Sequence, residues 1–133
     1  MKISREGITV MLFIFLLTFC AAALMHTVSV SRRMSGMTNE ALSLIDAGDS
    51  EPKDLEQLDA KIDEISRSWK EYEPVVSTYS RHDELERVSS AVRKLRPLYD
   101  SGKYGELYLT LHETDDALDH LRTTELPSVA NIL

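Results

Sequence analysis

The sequence predicts an all-α protein: an N-terminal transmembrane helix followed by an antiparallel helical bundle of three to four helices. Three observations carry that expectation. Residues 8–30 hold no Lys, Arg, Asp or Glu and are mostly apolar, a length that at 1.5 Å per residue crosses a hydrocarbon core of roughly 30 Å. Leu55, Leu58, Ile62, Ile65, Trp69, Tyr72, Val76 and Tyr79 follow one another at steps of three and four, which lays one apolar stripe along a helix. The spacing returns in Leu85, Val88, Val92, Leu95 and Tyr99, and again in Tyr104, Leu107, Leu111, Leu118 and Leu121. The chain divides accordingly into a short cytoplasmic N-terminus (1–7), a transmembrane signal-anchor (8–30), a juxtamembrane helix and turn (31–50) and an extracytoplasmic helical bundle (51–133).

The apolar run decides placement. A lipoprotein signal needs a small residue immediately before its cysteine, and Phe19 precedes Cys20, which argues against lipidation. Lys2 and Arg5 ahead of the run and Ala21-Ala22-Ala23 within it also fit a secretion signal cleaved after Ala23. Apolar character continues through Leu24, Met25, Val28 and Val30, beyond what a cleaved signal needs, and this favours a permanent anchor. Lys2 and Arg5 flank one end and Arg32 and Arg33 the other, so loop charge hardly distinguishes the two orientations. The signal-anchor layout places the acidic part outside.

After the run, Met37, Ala41, Leu42, Leu44 and Ile45 extend the anchor as a helix that Gly48 is expected to end in a left-handed cap. Ser50 offers the next N-cap, with Glu51 and Pro52 in the first turn. The later helices are joined around 80–83 and 101–103, connections short enough to make neighbours antiparallel. Pro74 and Pro97 fall inside apolar-periodic runs, where a missing N–H should kink or divide each helix. The stripe on 55–79 outruns those that follow it, and the excess suits a partner helix or a homodimer.

Charge narrows the function. From residue 34 onward the chain holds 11 Lys or Arg against 21 Asp or Glu. Such a surface repels phosphate backbones, so no nucleic-acid partner is expected. Cys20 is the single cysteine, which rules out an intrachain disulfide framework. No glycine-rich phosphate loop, nucleophile elbow or His-Glu-x-x-His motif occurs, and the expectation is a protein that is not an enzyme, with no catalytic residues and no cofactor.

Three groups of residues invite a binding role. His112, Asp116 and His120 stand at i, i+4 and i+8, one helical face on which a divalent cation could be held; the alternative is a solvated polar face. His82 lies in the connection between the first and second stripes, level with about Thr123, either contacting His120 or capping a helix end. There Asp83 is expected to cap the following helix. Trp69 and Tyr72 sit on the apolar stripe as core or ligand-binding aromatics.

The N-terminal anchor, Trp69, His82-Asp83-Glu84-Leu85, Leu95, Gly102, His120-Leu121 and Asn131-Ile132-Leu133, in that order, resemble the domain of unknown function 4363, a family of small membrane-anchored helical proteins of Gram-positive bacteria. The resemblance implies weight for Trp69, His82 and Asn131, and points to a multi-pass membrane protein of the YetF type as partner. It brings no activity with it. The expected function is a non-enzymatic module that binds or steadies another membrane or envelope protein. The alternatives are an extracytoplasmic cation or small-ligand sensor and a cleaved secreted helical protein.

Overall fold

In a computed structural model, which describes residues 4–48 and 51–132 and side chains as far as Thr123, four helices account for the fold and no strand occurs among the described residues. They are α1 (Arg5–Ser43), α2 (Leu55–Val76), α3 (His82–Asp100) and α4 (Tyr104–Ile132). The apolar run and the residues after it form one continuous helix of 39 residues. Ser4 caps it by accepting a hydrogen bond from the Gly7 N–H at 3.1 Å, and no proline interrupts it.

Helix ends differ in detail from the sequence expectation. Helix α1 stops at Ser43 with Leu44 as its cap, ahead of Gly48. Among the described residues the glycine that takes a positive φ is Gly102, at 69°. It closes α3 with the paired bonds Gly102 N–H to Tyr99 O and Lys103 N–H to Leu98 O, at 3.0 and 3.1 Å, the Schellman arrangement that satisfies terminal carbonyls. Ser50 lies outside the described residues, and Asp54 caps α2 by accepting from the Gln57 N–H at 3.0 Å. Glu51 and Pro52 therefore precede the helix instead of forming its first turn. Arg81 stands at the N-cap of α3, so Asp83 falls in the first turn, where a carboxylate still favours the positive end of the helix dipole.

Neither Pro74 nor Pro97 divides its helix. Each stands within the last turn, where few residues remain beyond the lost backbone bond. Hydroxyls engage the carbonyls there: Ser77 Oγ donates to Pro74 O and Ser101 Oγ to Pro97 O, at 2.8 and 2.7 Å.

The core is one cluster fed by all four helices. Leu58, Ile62, Ile65, Trp69 and Val76 of α2 are buried in it, as are Leu85, Val88, Val92 and Leu95 of α3 and Leu107, Leu111, Leu118 and Leu121 of α4. Helix α1 adds Val30, Met34 and Ala41, and Ile45 follows just beyond its end. Of the eight stripe residues, Leu58, Ile62, Ile65, Trp69 and Val76 are thus buried by the chain's own helices, while Leu55, Tyr72 and Tyr79 are half-buried. Contacts join α1 to α2, α2 to α3, α3 to α4 and α4 to α1.

Side chains fix the relative register of these pairs. Tyr79 meets Thr27 and Lys61 pairs with Glu40 between α2 and α1; Ser31 meets Leu118 and Ser35 meets Asp115 between α1 and α4. Between α2 and α3, Trp69 bonds Ser89 and Tyr99 bonds Leu55 O.

Helix α1 has two halves in different surroundings. Ile8, Met11, Leu12, Phe13, Phe15 and Phe19 are all exposed. From Thr27 onward the helix is built into the core. One helix near the N-terminus is therefore long and apolar enough to cross a membrane, and none of its apolar window is buried as a core helix would be.

Candidate functional site

The residues where the exposed apolar half of α1 meets the packed body form a polar collar. His26 and Thr27 close the run, and Tyr79 reaches them from the connection after α2. His26 Nδ1 lies 2.7 Å from the Tyr79 hydroxyl, and Thr27 Oγ1 lies 3.0 Å from the same oxygen. The His26 and Tyr79 rings meet edge to face with centroids 6.2 Å apart. Thr27 is buried, and its hydroxyl also lies 3.0 Å from Ala23 O, the back-bonding that lets a threonine enter a helical core without a stranded donor.

One turn further along, Ser31 Oγ donates to Leu118 O at 2.9 Å, and both residues are buried. Ser35 Oγ bonds the Asp115 carboxylate. Thr27, Ser31 and Ser35 recur at intervals of four, which sets small hydroxyl side chains on one face, and the two serines let α4 approach α1 closely. Arg33 Nη1 reaches the Tyr72 hydroxyl at 3.4 Å, and Arg32 lies exposed on the same helix. Sequence reasoning does not single out His26, Thr27, Ser31 and Ser35, whereas Tyr72 and Tyr79 stand on the apolar stripe and Arg32 and Arg33 at the end of the span. The available signal is a histidine and a threonine closing an otherwise apolar run, with Ser31 and Ser35 following at intervals of four.

The sequence-predicted residues lie elsewhere. Trp69 is 3% exposed and its indole N–H donates to Ser89 Oγ at 2.9 Å; it belongs to the core. Tyr72 is half-buried beside it on α2, with its hydroxyl turned to Arg33. His82 is the exposed first residue of α3. The Asn131 side chain lies outside the described residues. His112 packs edge-on against Tyr108, centroids 4.7 Å apart, while His120 Nδ1 lies 2.6 Å from the Glu84 carboxylate of α3.

His112, Asp116 and His120 do not assemble as ligands: among the described residues no group of three His, Cys, Asp or Glu side chains is disposed to hold a metal ion. Side chains at i and i+8 stand about 12 Å apart along a helix axis, too far for one ion without a bridging element.

Electrostatic perturbation is concentrated at the other end of the body. Hydrogen bonding to Glu40 and then Glu64 raises the Lys61 pKa. Hydrogen bonding to Asp59 raises that of Arg96, and desolvation raises that of the Tyr99 phenol. These are structural ties between helices, distant from the collar.

Comparison with family models, with curated proteins and with solved structures returned no match for this chain.

Proposed function

We propose that this chain is a single-pass membrane protein whose antiparallel four-helix body, held outside the cytoplasmic membrane, is a non-enzymatic module that binds or steadies another membrane or envelope protein. The observation that carries the reading is that the apolar segment and a core strut of the body are the same helix. Helix α1 leaves exposed apolar residues as far as Met25 and buries Thr27, Val30, Ser31 and Met34 within the next three turns. A span joined to a body through a flexible linker could tether it; a span continuous with the core also fixes its tilt and rotation relative to the bilayer. Rigid presentation of this kind suits an interaction module, because little orientational freedom is lost when a partner docks.

The exposed face of the span offers the partner surface this reading requires. A multi-pass membrane protein, including one of the YetF type, would pack on it through its own helices. Cleavage after Ala23 would leave Thr27 to Ile45 in the core, so the body is compatible with the secreted alternative as well. The deciding experiment is native mass spectrometry of the full chain extracted in mild detergent. An intact chain carrying a second membrane protein supports the module. A chain beginning at Leu24 and travelling alone refutes it.

A further inference from the structure

Where the apolar half of α1 ends, an apolar wall and two guanidinium groups border the same groove. Leu24, Met25, Val28, Ser29, Arg32 and Arg33 line about 470 Å³ there. Their recurrence at intervals of four sets them along one side of the helix. It is the outward side, since Ser31 and Ser35 turn to α4 and Thr27 to Tyr79.

The direction of α1 brings the arginines down to the end of the wall. Helical side chains lean toward the N-terminus of their own helix, and on α1 that is the direction of the exposed apolar run. The backbone of Arg32 stands about 10 Å beyond that of Met25 at 1.5 Å per residue, and its side chain returns part of that distance over Val28 and Ser29. Both guanidiniums thus fall at the depth of lipid phosphates when the run lies in hydrocarbon. Two tyrosines mark the same level: Tyr79 meets His26 and the Tyr72 hydroxyl meets Arg33, the placement that amphipathic rings take at a membrane interface.

The arginines also have donors to spare. Neither forms an ion pair among the described residues, and Arg33 spends one N–H on Tyr72 at 3.4 Å. Both are exposed, as is Ser29 beside them.

We infer that this groove binds an anionic phospholipid of the adjoining leaflet, its phosphate held by Arg32, Arg33 and the Ser29 hydroxyl and an acyl chain laid against Leu24, Met25 and Val28. Guanidinium and phosphate match through paired N–H···O bonds, and a free phosphate would leave the apolar wall unused. Such a site offsets, at the point of contact, the repulsion that the acidic body meets at an anionic bilayer. This rests on the anchor reading, and the test separates the two.

The full chain is placed in nanodiscs of equal phosphatidylcholine and phosphatidylglycerol, and native mass spectrometry counts the lipids that leave with it. The expected result is a preference for phosphatidylglycerol that Arg32→Gln with Arg33→Gln cuts roughly tenfold. Lys53→Gln with Lys103→Gln removes the same charge at the far end of the body and should leave the preference unchanged. Arg32 makes no tie within the body, so Arg32→Gln alone, expected to cut the preference several-fold, decides the matter if the pair disturbs packing at Tyr72. Millimolar glycerol 3-phosphate should displace no lipid. Displacement of phosphatidylglycerol by it, equal retention of the two lipids by the parent, or a preference that survives the arginine substitutions would each overturn this inference and leave the anchor standing. A chain that stays out of the discs, or begins at Leu24, would overturn both.

Discussion

The indole N–H of Trp69 on α2 donates to the hydroxyl of Ser89 on α3 at 2.9 Å, and both residues are buried. An unpaired buried donor costs about 1–3 kcal/mol, so Ser89→Ala should destabilise the body by that amount although it removes a single oxygen. Trp69→Phe removes the donor and leaves a smaller void, with a loss of about 1–3 kcal/mol. The double variant should lose about 1 kcal/mol less than the two losses combined, because the stranded donor is gone. Denaturant unfolding of the full chain in detergent, followed by circular dichroism, measures all three. Strict additivity would mean that the bond contributes nothing.

Two glycines should respond in opposite directions to the same substitution. A Cβ at Gly102 meets nothing within 4 Å, yet φ is +69°, so Gly102→Ala should cost roughly 1 kcal/mol through backbone strain alone. Gly36 is exposed inside α1, and a Cβ there also meets nothing within 4 Å. Gly36→Ala should stabilise by about 0.5–1 kcal/mol, since glycine is the less favourable residue in a helix interior. Thermal unfolding of the two variants should bracket that of the parent.

The same physics explains what the sequence concealed. The stripes on α2, α3 and α4 are legible because Leu, Ile, Val and Trp announce themselves at helical spacing. Helix α1 carries an equally regular stripe into the core, Thr27, Ser31, Met34, Thr38 and Ala41, continued by Ile45 just beyond its end, at alternating steps of four and three. Half of it is hydroxyl-bearing and reads as polar. Burial is tolerated because Thr27 and Thr38 can bond the carbonyl four residues back and Ser31 bonds a carbonyl of α4. The candidate site eluded the sequence for a related reason: Tyr79 engages Thr27 and His26 from 52 and 53 residues away along the chain, and local spacing carries no such information.

Arg96 ties α3 to α2. Its guanidinium bonds the Asp59 carboxylate, lies 3.6 Å from Asp100 and 3.9 Å from Asp63, and sits 5.5 Å from the Tyr99 ring centroid. The side chain is 36% exposed, so water screens the network, and Arg96→Ala should cost no more than about 1 kcal/mol. Arg96→Lys should recover part of this while losing the guanidinium's fork of donors and its position over the Tyr99 ring. Near 1 M salt, where the screening length falls to about 3 Å, the Arg96→Ala deficit should shrink. A deficit unchanged by salt would assign it to packing of the side chain's stem.

Alkaline pH should loosen the same end of the body. Desolvation first, then the Asp59 charge, raises the Tyr99 phenol pKa above its ordinary value, and the hydroxyl donates to Leu55 O at 3.0 Å. A phenol with a raised pKa favours the folded state while neutral. That contribution is complete below about pH 10, the ordinary tyrosine value, and is lost as pH rises through the folded-state pKa. Lys61 acts in the same window: its pairing with Glu40 and Glu64 is present while it is protonated and disappears as pH climbs past its raised pKa. Tyr99→Phe should therefore cost about 1 kcal/mol near neutrality through the lost hydrogen bond, and its stability should fall less steeply than the parent's above about pH 10. Phenolate absorbance should show, in the parent, a late-titrating component that Tyr99→Phe lacks. Parallel stability curves across the alkaline range would show that the phenol carries no such dependence and would leave Lys61 as the group to substitute next.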